Sequence, residues 1–424
     1  MKLSNLFKGD PVIWVIYFFL CAISLIEVFS AGSQLSFKGA SFWVPLERQA
    51  TFLAMGTLLM IIVHNIPPRF FKVIPIFMLP LSIVLLILAM FIGSVNDGGR
   101  WLPLPFGLSF QPSELAKGAV VVGVALILAQ LQRKDGAERH AMKYILIVTA
   151  VTGLLIIPEN FSTAALLFLV VYLMMFIGRI PWQQMLKLTG ILFLVGVAAI
   201  AFILLPPEDS AIYKTSVTHR AITWRHRLET HSARPDSAKD FDYINHRQEA
   251  HANLAIVTSN YVGKMPGNSV QRDFLSLAYA DFIYAIVIEE MGLWGGFFVI
   301  FLYIVLFFRA GRIASRCERN FPAFLAMGLA LLLVVQAIVN MFVATGIFPV
   351  TGQPLPLISR GGTSTLVTCL YFGMILSVSR YARQTTEQND PFEKKRSAPQ
   401  KAVVEDRKEP LSKTEEETSV SIDL

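Results

Sequence analysis

The chain has 424 residues, of which 54% are hydrophobic and only 16% charged, with 32 Phe and a formal net charge of +7. A mean hydropathy of +0.55 excludes a water-soluble globule and fits an all-α polytopic membrane protein. The cysteines, Cys21, Cys317 and Cys369, imply no disulfide framework, and no feature points to nucleic acid.

Spans need about 20 apolar residues. Apolar runs lie near 12–32, 49–65, 70–93, 113–132, 143–158, 160–178, 187–205, 280–308, 323–346 and 364–380, which predicts ten transmembrane helices. The first follows Lys2 and Lys8 and ends in the small residues Ser30, Ala31 and Gly32, as a signal peptide does. Its apolar stretch is longer than such a segment carries, so it reads as an uncleaved helix. Only Pro158, Glu159 and Asn160 separate the fifth and sixth runs, and a single bent helix is the alternative there.

Alternating ten spans from a cytoplasmic N-terminus gathers Arg69, Lys72, Arg133, Lys134, Arg139, Arg179, Arg309, Arg312, Arg316, Arg319, Arg380 and Arg383 on one side. That is the positive-inside pattern, with both termini in the cytoplasm. Residues 1–383 then form the transmembrane domain. Within it, residues 206–279 form a large extracytoplasmic loop between the seventh and eighth spans. Residues 384–424, mixed in charge and carrying Glu415, Glu416 and Glu417, read as a disordered cytoplasmic tail.

The outer-side segments carry the chemistry. NDGGRW, from Asn96 to Trp101, offers a tight turn at Gly98 and Gly99 that presents Arg100 and Trp101. QPSELAK, from Gln111 to Lys117, puts Pro112 at a helix start and Ser113, Glu114 and Lys117 on one face. Glu114 and Lys117 would enter the bilayer as a mutually neutralising pair, which can fix packing without reacting.

YADFIYAIVIEEMGL, from Tyr279 to Leu293, places Asp281 at the mouth of an apolar span and Glu289 and Glu290 inside it. An ionised side chain near the centre of a span is disfavoured by about 2.5–3.5 kcal/mol on insertion scales, so such acids usually face a polar cavity or a partner. A helix cap is the plainer role for Asp281. Glu289 and Glu290 point to different sides of a helix, and one of them is expected to pack against a cation from another helix.

The last outer segment, FPVTGQPLPLISRGGTS from Phe348 to Ser364, holds three prolines and three glycines between two spans. Such backbone cannot lie against lipid. Ser359, Arg360, Gly361, Gly362, Thr363 and Ser364 offer hydroxyls, a guanidinium and N–H groups at a helix start, the parts of a site for phosphate oxygens. His219, His226, His231, His246 and His251 crowd the large loop, yet only His246 and His251 flank a carboxylate, Glu249. Spacing without ligand geometry is weak evidence for metal.

GGRW, QPSELAK, ADFIYA with EEMG, and TGQPLPLISRGGTS, in this order over roughly residues 10–383, resemble the SEDS family of shape, elongation, division and sporulation proteins. The resemblance implies a ten-helix peptidoglycan glycosyltransferase that polymerises lipid II on the outer face of the cytoplasmic (inner) membrane. It also implies a class B penicillin-binding protein as partner. Within the family the division branch is nearest, with septal localisation and other division proteins as partners, and the elongation branch is the close competitor. Family members place an essential Asp where Ala280-Asp281-Phe282 stands. Many have Pro-Asp where this chain has Pro158 and Glu159, and Ser-Tyr-Gly-Gly where Arg360 stands.

The implied chemistry is an inverting displacement with Asp281 as general base. Arg100, Lys117, Arg247 and the loop of Ser359, Gly361, Gly362 and Thr363 would bind the departing pyrophosphate, with Glu114 beside Lys117. The residues identify no cofactor; a divalent cation could share the work, but no ligand cluster identifies one. A lipid flippase and a non-catalytic scaffold are the rival functions, but no internal repeat of the kind transporters carry is visible.

Overall fold

A computed structural model describes residues 8–32, 43–92, 101–104, 108–204, 225, 247–275 and 278–389. Helix α1, Pro11–Ala31, opens at Asp10, whose carboxylate accepts from the Val12 N–H at 2.9 Å, with Pro11 at the first helical position. Helix α2, Val44–His64, leads through a short 3-10 turn, Pro68–Val73, into α3, Ile74–Ile92. A hairpin of β1, Leu102–Leu104, and β2, Leu108–Phe110, pairs Leu102 with Phe110 directly ahead of α4, Pro112–Gln130. After a small hairpin of β3, Gln132–Arg133, and β4, Gly136–Ala137, come α5, Ala141–Ile156, and α6, Phe161–Ile177.

Helix α7, Trp182–Leu204, precedes the large loop, within which α8, Arg247–Val257, forms. Then follow α9, Ile283–Arg316, α10, Asn320–Ala344, and α11, Thr363–Asn389. Eight helices among the described residues are long and apolar enough to cross a membrane. The fifth and sixth runs are two separate helices of 16 and 17 residues, with Asn160 capping the second through its side chain at the Ser162 N–H.

Two expectations need correcting. The run over 280–308 is not one continuous span: helix begins at Ile283 and breaks at Gly292, where φ is 73° and ψ is −177°. The cap position falls at Phe282 and carries no side-chain cap bond, so Asp281 lies ahead of the helix instead of capping it. Within the segment read as a plain loop, α8 buries Ala250, Ala252 and Ala255.

The core is built around α4 and α10, which pack on each other; α10 also meets α9 and α6. With no hydrophobic drive between helices in lipid, close approach depends on small residues. Gly56 faces Cys369, Gly373 lies under the Met60 carbonyl, and Gly118 lies against the Tyr371 ring, whose hydroxyl donates to the Glu114 carbonyl at 2.7 Å. One end of the bundle joins Arg309 to Asp10 at 2.5 Å and Arg380 to Asn65 at 2.7 Å. The opposite end holds Ser30, the break in α9 and Asp281.

A methyl at Gly118 would meet the Tyr371 hydroxyl oxygen at 2.4 Å. Gly118→Val is therefore expected to destabilise the fold by about 1–3 kcal/mol through overpacking. A thermal melt in detergent checks this, and an unchanged midpoint would show that α4 and α11 are not in such close contact.

Candidate active site

Three successive backbone carbonyls lead into the α9 helix, and each is held from outside it. Tyr279 O accepts from the Arg360 N–H at 2.9 Å, Ala280 O from the Ser359 hydroxyl at 2.6 Å, and Asp281 O from Asn340 Nδ2 at 2.9 Å. The first amide of the helix to seek a partner, Ala285 N–H, bonds to Phe282 O instead of Asp281 O. The carbonyl of Asp281 thus lies outside the helical ladder, and a side chain from α10 satisfies it. Asp281 itself is half-buried.

The segment over 351–360 that grips Asp281 is irregular and deeply buried. Its carbonyls are met one by one: Thr351 O by Asn160 at 3.4 Å, Gln353 O by Asn340 at 2.8 Å, and Pro354 O by Gln336 at 3.0 Å. Pro356 O accepts from the Tyr303 hydroxyl and Ile358 O from the Ser24 hydroxyl at 3.0 Å. The donors come from α1, α6, α9 and α10. Leu357 sits at φ 65°, a conformation that a branched residue adopts only where its surroundings impose it.

Glu114 and Lys117 form the expected pair at 2.8 Å, almost wholly buried. Lys117 Nζ also donates to Gln336 Oε1 at 2.8 Å, so the pair connects through Gln336 to the Pro354 carbonyl. Ser113 is buried beside them, its hydroxyl without a hydrogen-bond partner among the described residues. Ser359 and Thr363 are engaged within the fold: Ser359 Oγ also accepts from the Leu355 N–H at 2.8 Å, and the Thr363 hydroxyl donates to Ser109 O at 3.0 Å, tying β2 to α11. Their hydroxyls are therefore structural pins. The N–H groups of Gly361, Gly362 and Thr363 have no acceptor among the described residues.

The Arg360 guanidinium lies over the Tyr279 ring at 5.2 Å. Burial pushes it below its ordinary value; Tyr279 opposes that shift and the nearby Arg48 cation adds to it. Two cations brought together here make the mouth beside Asp281 favourable to an anion. Arg100 lies outside the described residues. Arg247 begins α8, and its side chain is likewise outside them.

Of the two acids expected inside the span, Glu290 pairs with Arg272 of a short 3-10 helix, Gln271–Asp273, and Glu289 with Lys264 of the chain before it. Both bind the segment over 264–272. Glu289 accepts from Lys264 Nζ at 2.7 Å, from the Ser269 hydroxyl, and from the N–H groups of Val270 at 3.2 Å and Gln271 at 3.3 Å. Glu290 accepts from the Gly267 N–H at 3.1 Å and from the Ser30 hydroxyl, with Arg272 Nη1 at 3.7 Å.

The backbone at the break is completed by the same segment. Lys264 and Met265 N–H donate to the carbonyls of Glu289 and Glu290 at 2.9 and 2.8 Å, and Leu293 N–H bonds to Asn260 O at 3.3 Å. A Cβ at Gly292 would meet Tyr261 O at 2.3 Å, and one at Gly263 would meet Gly292 N at 2.3 Å, so both positions require glycine.

His251 stacks on Phe274 at 5.0 Å and pairs with Gln271 at 2.6 Å, while His246 lies outside the described residues. Sequence reasoning missed Gln336, Asn340, Ser24 and Tyr303, all polar residues inside apolar runs. It also missed Glu27, fully buried in α1 with neither oxygen hydrogen-bonded among the described residues. A lone acid in an apolar helix was the available signal.

The fold and site define a multi-pass membrane protein in which an irregular buried segment and α10 converge on the backbone of Tyr279, Ala280 and Asp281. The family model for FtsW, RodA and SpoVE, described as a cell cycle protein, matches residues 11–384, and the chain belongs to this family, the SEDS proteins. It is 30% identical to the probable peptidoglycan glycosyltransferase FtsW of Halomonas elongata, over 88% of this chain and 90% of that one. It is 28% identical to the peptidoglycan glycosyltransferase MrdB of Escherichia coli K12, over 89% and 95%. Among solved structures it resembles RodA of Thermus thermophilus, with a TM-score of 0.59 at 23% identity over 89% and 98% of the two chains. A chain from a peptidoglycan synthase complex aligns with a TM-score of 0.69 at 22% identity over 89% and 99%.

Lys117 has no exposure, so removing its counter-charge leaves an unpaired buried cation. Glu114→Ala is expected to cost about 3–5 kcal/mol, whereas Glu114→Leu combined with Lys117→Met costs much less or nothing. Melting curves of the two variants decide this. Equal loss in both would mean that the pair's specific bond to Gln336 matters more than its charge balance.

Proposed function

We propose that this chain is a peptidoglycan glycosyltransferase that polymerises lipid II at the outer face of the cytoplasmic membrane. The observation that carries the reading is the triple anchoring of Tyr279, Ala280 and Asp281 by Arg360, Ser359 and Asn340, a degree of preorganisation that a reacting carboxylate needs. Family membership and relatives described as peptidoglycan glycosyltransferases support the same activity.

In this mechanism Asp281 takes the proton of the acceptor GlcNAc 4-hydroxyl as that oxygen attacks the anomeric carbon of the lipid-linked donor. The C1–O bond to the pyrophosphate breaks, the α linkage becomes a β-1,4 bond, and polyprenyl pyrophosphate departs. The N–H groups of Gly361, Gly362 and Thr363, unbonded among the described residues, with Arg360 and Arg48 nearby, are the groups suited to the developing charge. Arg100 and Arg247 are further candidates. Lys117, engaged by Glu114 and Gln336, acts through the architecture of the site.

Ten spans with both termini cytoplasmic fit the eight long helices plus α5 and α6, and the basic connectors at one end of the bundle. In that arrangement residues 1–383 are the transmembrane domain, residues 206–279 lie on the extracytoplasmic side, and residues 384–424 are the cytoplasmic tail, which is helical, not disordered, as far as Asn389. A class B penicillin-binding protein is the proposed partner, and the similarity to a chain of a synthase complex supports it. Division is favoured over elongation on overall resemblance, which gives a septal location; a tagged copy found along the side wall would reverse that choice.

Asp281→Asn is expected to abolish glycan ladders from labelled lipid II while the protein stays folded and partner-bound. Gel-resolved polymerisation by the co-purified complex is the assay. Near-normal turnover by the variant would remove Asp281 from the chemistry.

A further inference from the structure

Helix α10 runs through the middle of the bundle, yet it carries two buried amides, Gln336 at 5% and Asn340 at 1% exposure. A primary amide in an apolar interior is costly unless its hydrogen bonds are made. One turn apart on one face, the two reach adjacent parts of the same loop. Gln336 joins Lys117 to the Pro354 carbonyl.

Asn340 goes further, because its Nδ2 donates both to Gln353 O at 2.8 Å and to Asp281 O at 2.9 Å. The opposite amide orientation would set an oxygen against two carbonyls, so the geometry fixes which atom points at the site. Gln353 is held from its other side, its Nε2 donating to Thr163 Oγ1 at 2.6 Å. The chain from α6 through Gln353 to Asn340 therefore ends on the backbone of the residue that bears the carboxylate.

We infer that Asn340 is a positioning residue for Asp281: it fixes where the carboxylate stands by holding the Asp281 carbonyl that no helix amide engages. The inference rests on the reading of Asp281 as the base. Asn340 does not touch substrate; it acts through Asp281 and through the 351–360 loop that Asp281 abuts.

The test uses the full chain in complex with its penicillin-binding partner, with labelled lipid II as the probe. Steady-state polymerisation and thermal melts are measured for Asn340→Ala, Asn340→Asp and Asn340→Ser beside Asp281→Asn. Displacing a reacting group by about 1 Å costs about 100-fold in rate, so Asn340→Ala should lower kcat by about 10- to 100-fold with KM changed by less than about two-fold. Asn340→Asp, which keeps the shape and loses the amide donors, should be similarly slow. Asn340→Ser, which keeps one donor, should recover part of the rate.

Should Asn340→Ala fail to fold, the comparison of Asp with Ser carries the test. Wild-type kcat in the variants lacking the amide, beside an inactive Asp281→Asn, would overturn this inference alone. Equal loss in every variant that follows the melting temperature would make Asn340 purely structural and overturn it as well. Turnover by Asp281→Asn would overturn the reading of the base, and this inference with it.

Discussion

An unpaired backbone carbonyl buried away from water costs about 1–3 kcal/mol, and a chain that crosses lipid without forming a helix exposes such a group at every residue. Buried without forming a helix, the segment over 351–360 meets the same cost, and Pro354 and Pro356 remove two of its own donors. Five of its carbonyls are met by side chains of Asn160, Asn340, Gln336, Tyr303 and Ser24. Irregular backbone at membrane depth survives only where protein satisfies it. The polar residues inside three apolar helices and at the cap of a fourth, the small residues that bring α4 against α11, and the placing of Asp281 all follow from that requirement.

The second irregularity, the break in α9 at Gly292, is resolved by a different means. There the carbonyls of Glu289 and Glu290 accept from Lys264 and Met265, while the two carboxylates draw in the cation of Lys264, the amides over 267–271 and the guanidinium of Arg272. Charged groups buried in this way add little net stability, but they specify one arrangement, since losing either partner leaves an uncompensated charge. The N-terminal portion of α9 is thereby fastened to the segment over 264–272. The backbone that carries Asp281 is held from the loop by Arg360 and Ser359 and from α10 by Asn340.

Much of this was legible in the sequence because the bilayer enforces length and polarity so strongly. Apolar runs gave the positions of the helices, whereas the separation of α5 from α6, open in the sequence to a single bent helix, is seen only in the structure, where Asn160 caps α6. Glu114 with Lys117 could be read from helical spacing. The break at Gly292 could not, because a glycine inside an apolar helix is ordinary until a second chain is seen crossing it. Nor could the use of Ser359 and Thr363 as pins: a hydroxyl beside glycines suggests a ligand, and only the neighbouring carbonyls of Ala280 and Ser109 show where it is directed. Gln336 and Asn340 passed unnoticed because their partners lie far along the chain.

The account's central claim is that the loop over 351–360 is a fixed part of the site although it has no regular structure. Hydrogen–deuterium exchange on the full chain in nanodiscs tests it directly. The amides of Leu355, Ser359 and Arg360 are bonded to Ser359 Oγ, Leu355 O and Tyr279 O at 2.8, 2.9 and 2.9 Å. They should exchange as slowly as the amides of α4 and α10, because opening them requires the surrounding bundle to open. Exchange as fast as that of an unprotected surface loop would contradict the account, since a loop that opens freely could not hold Asp281 in place.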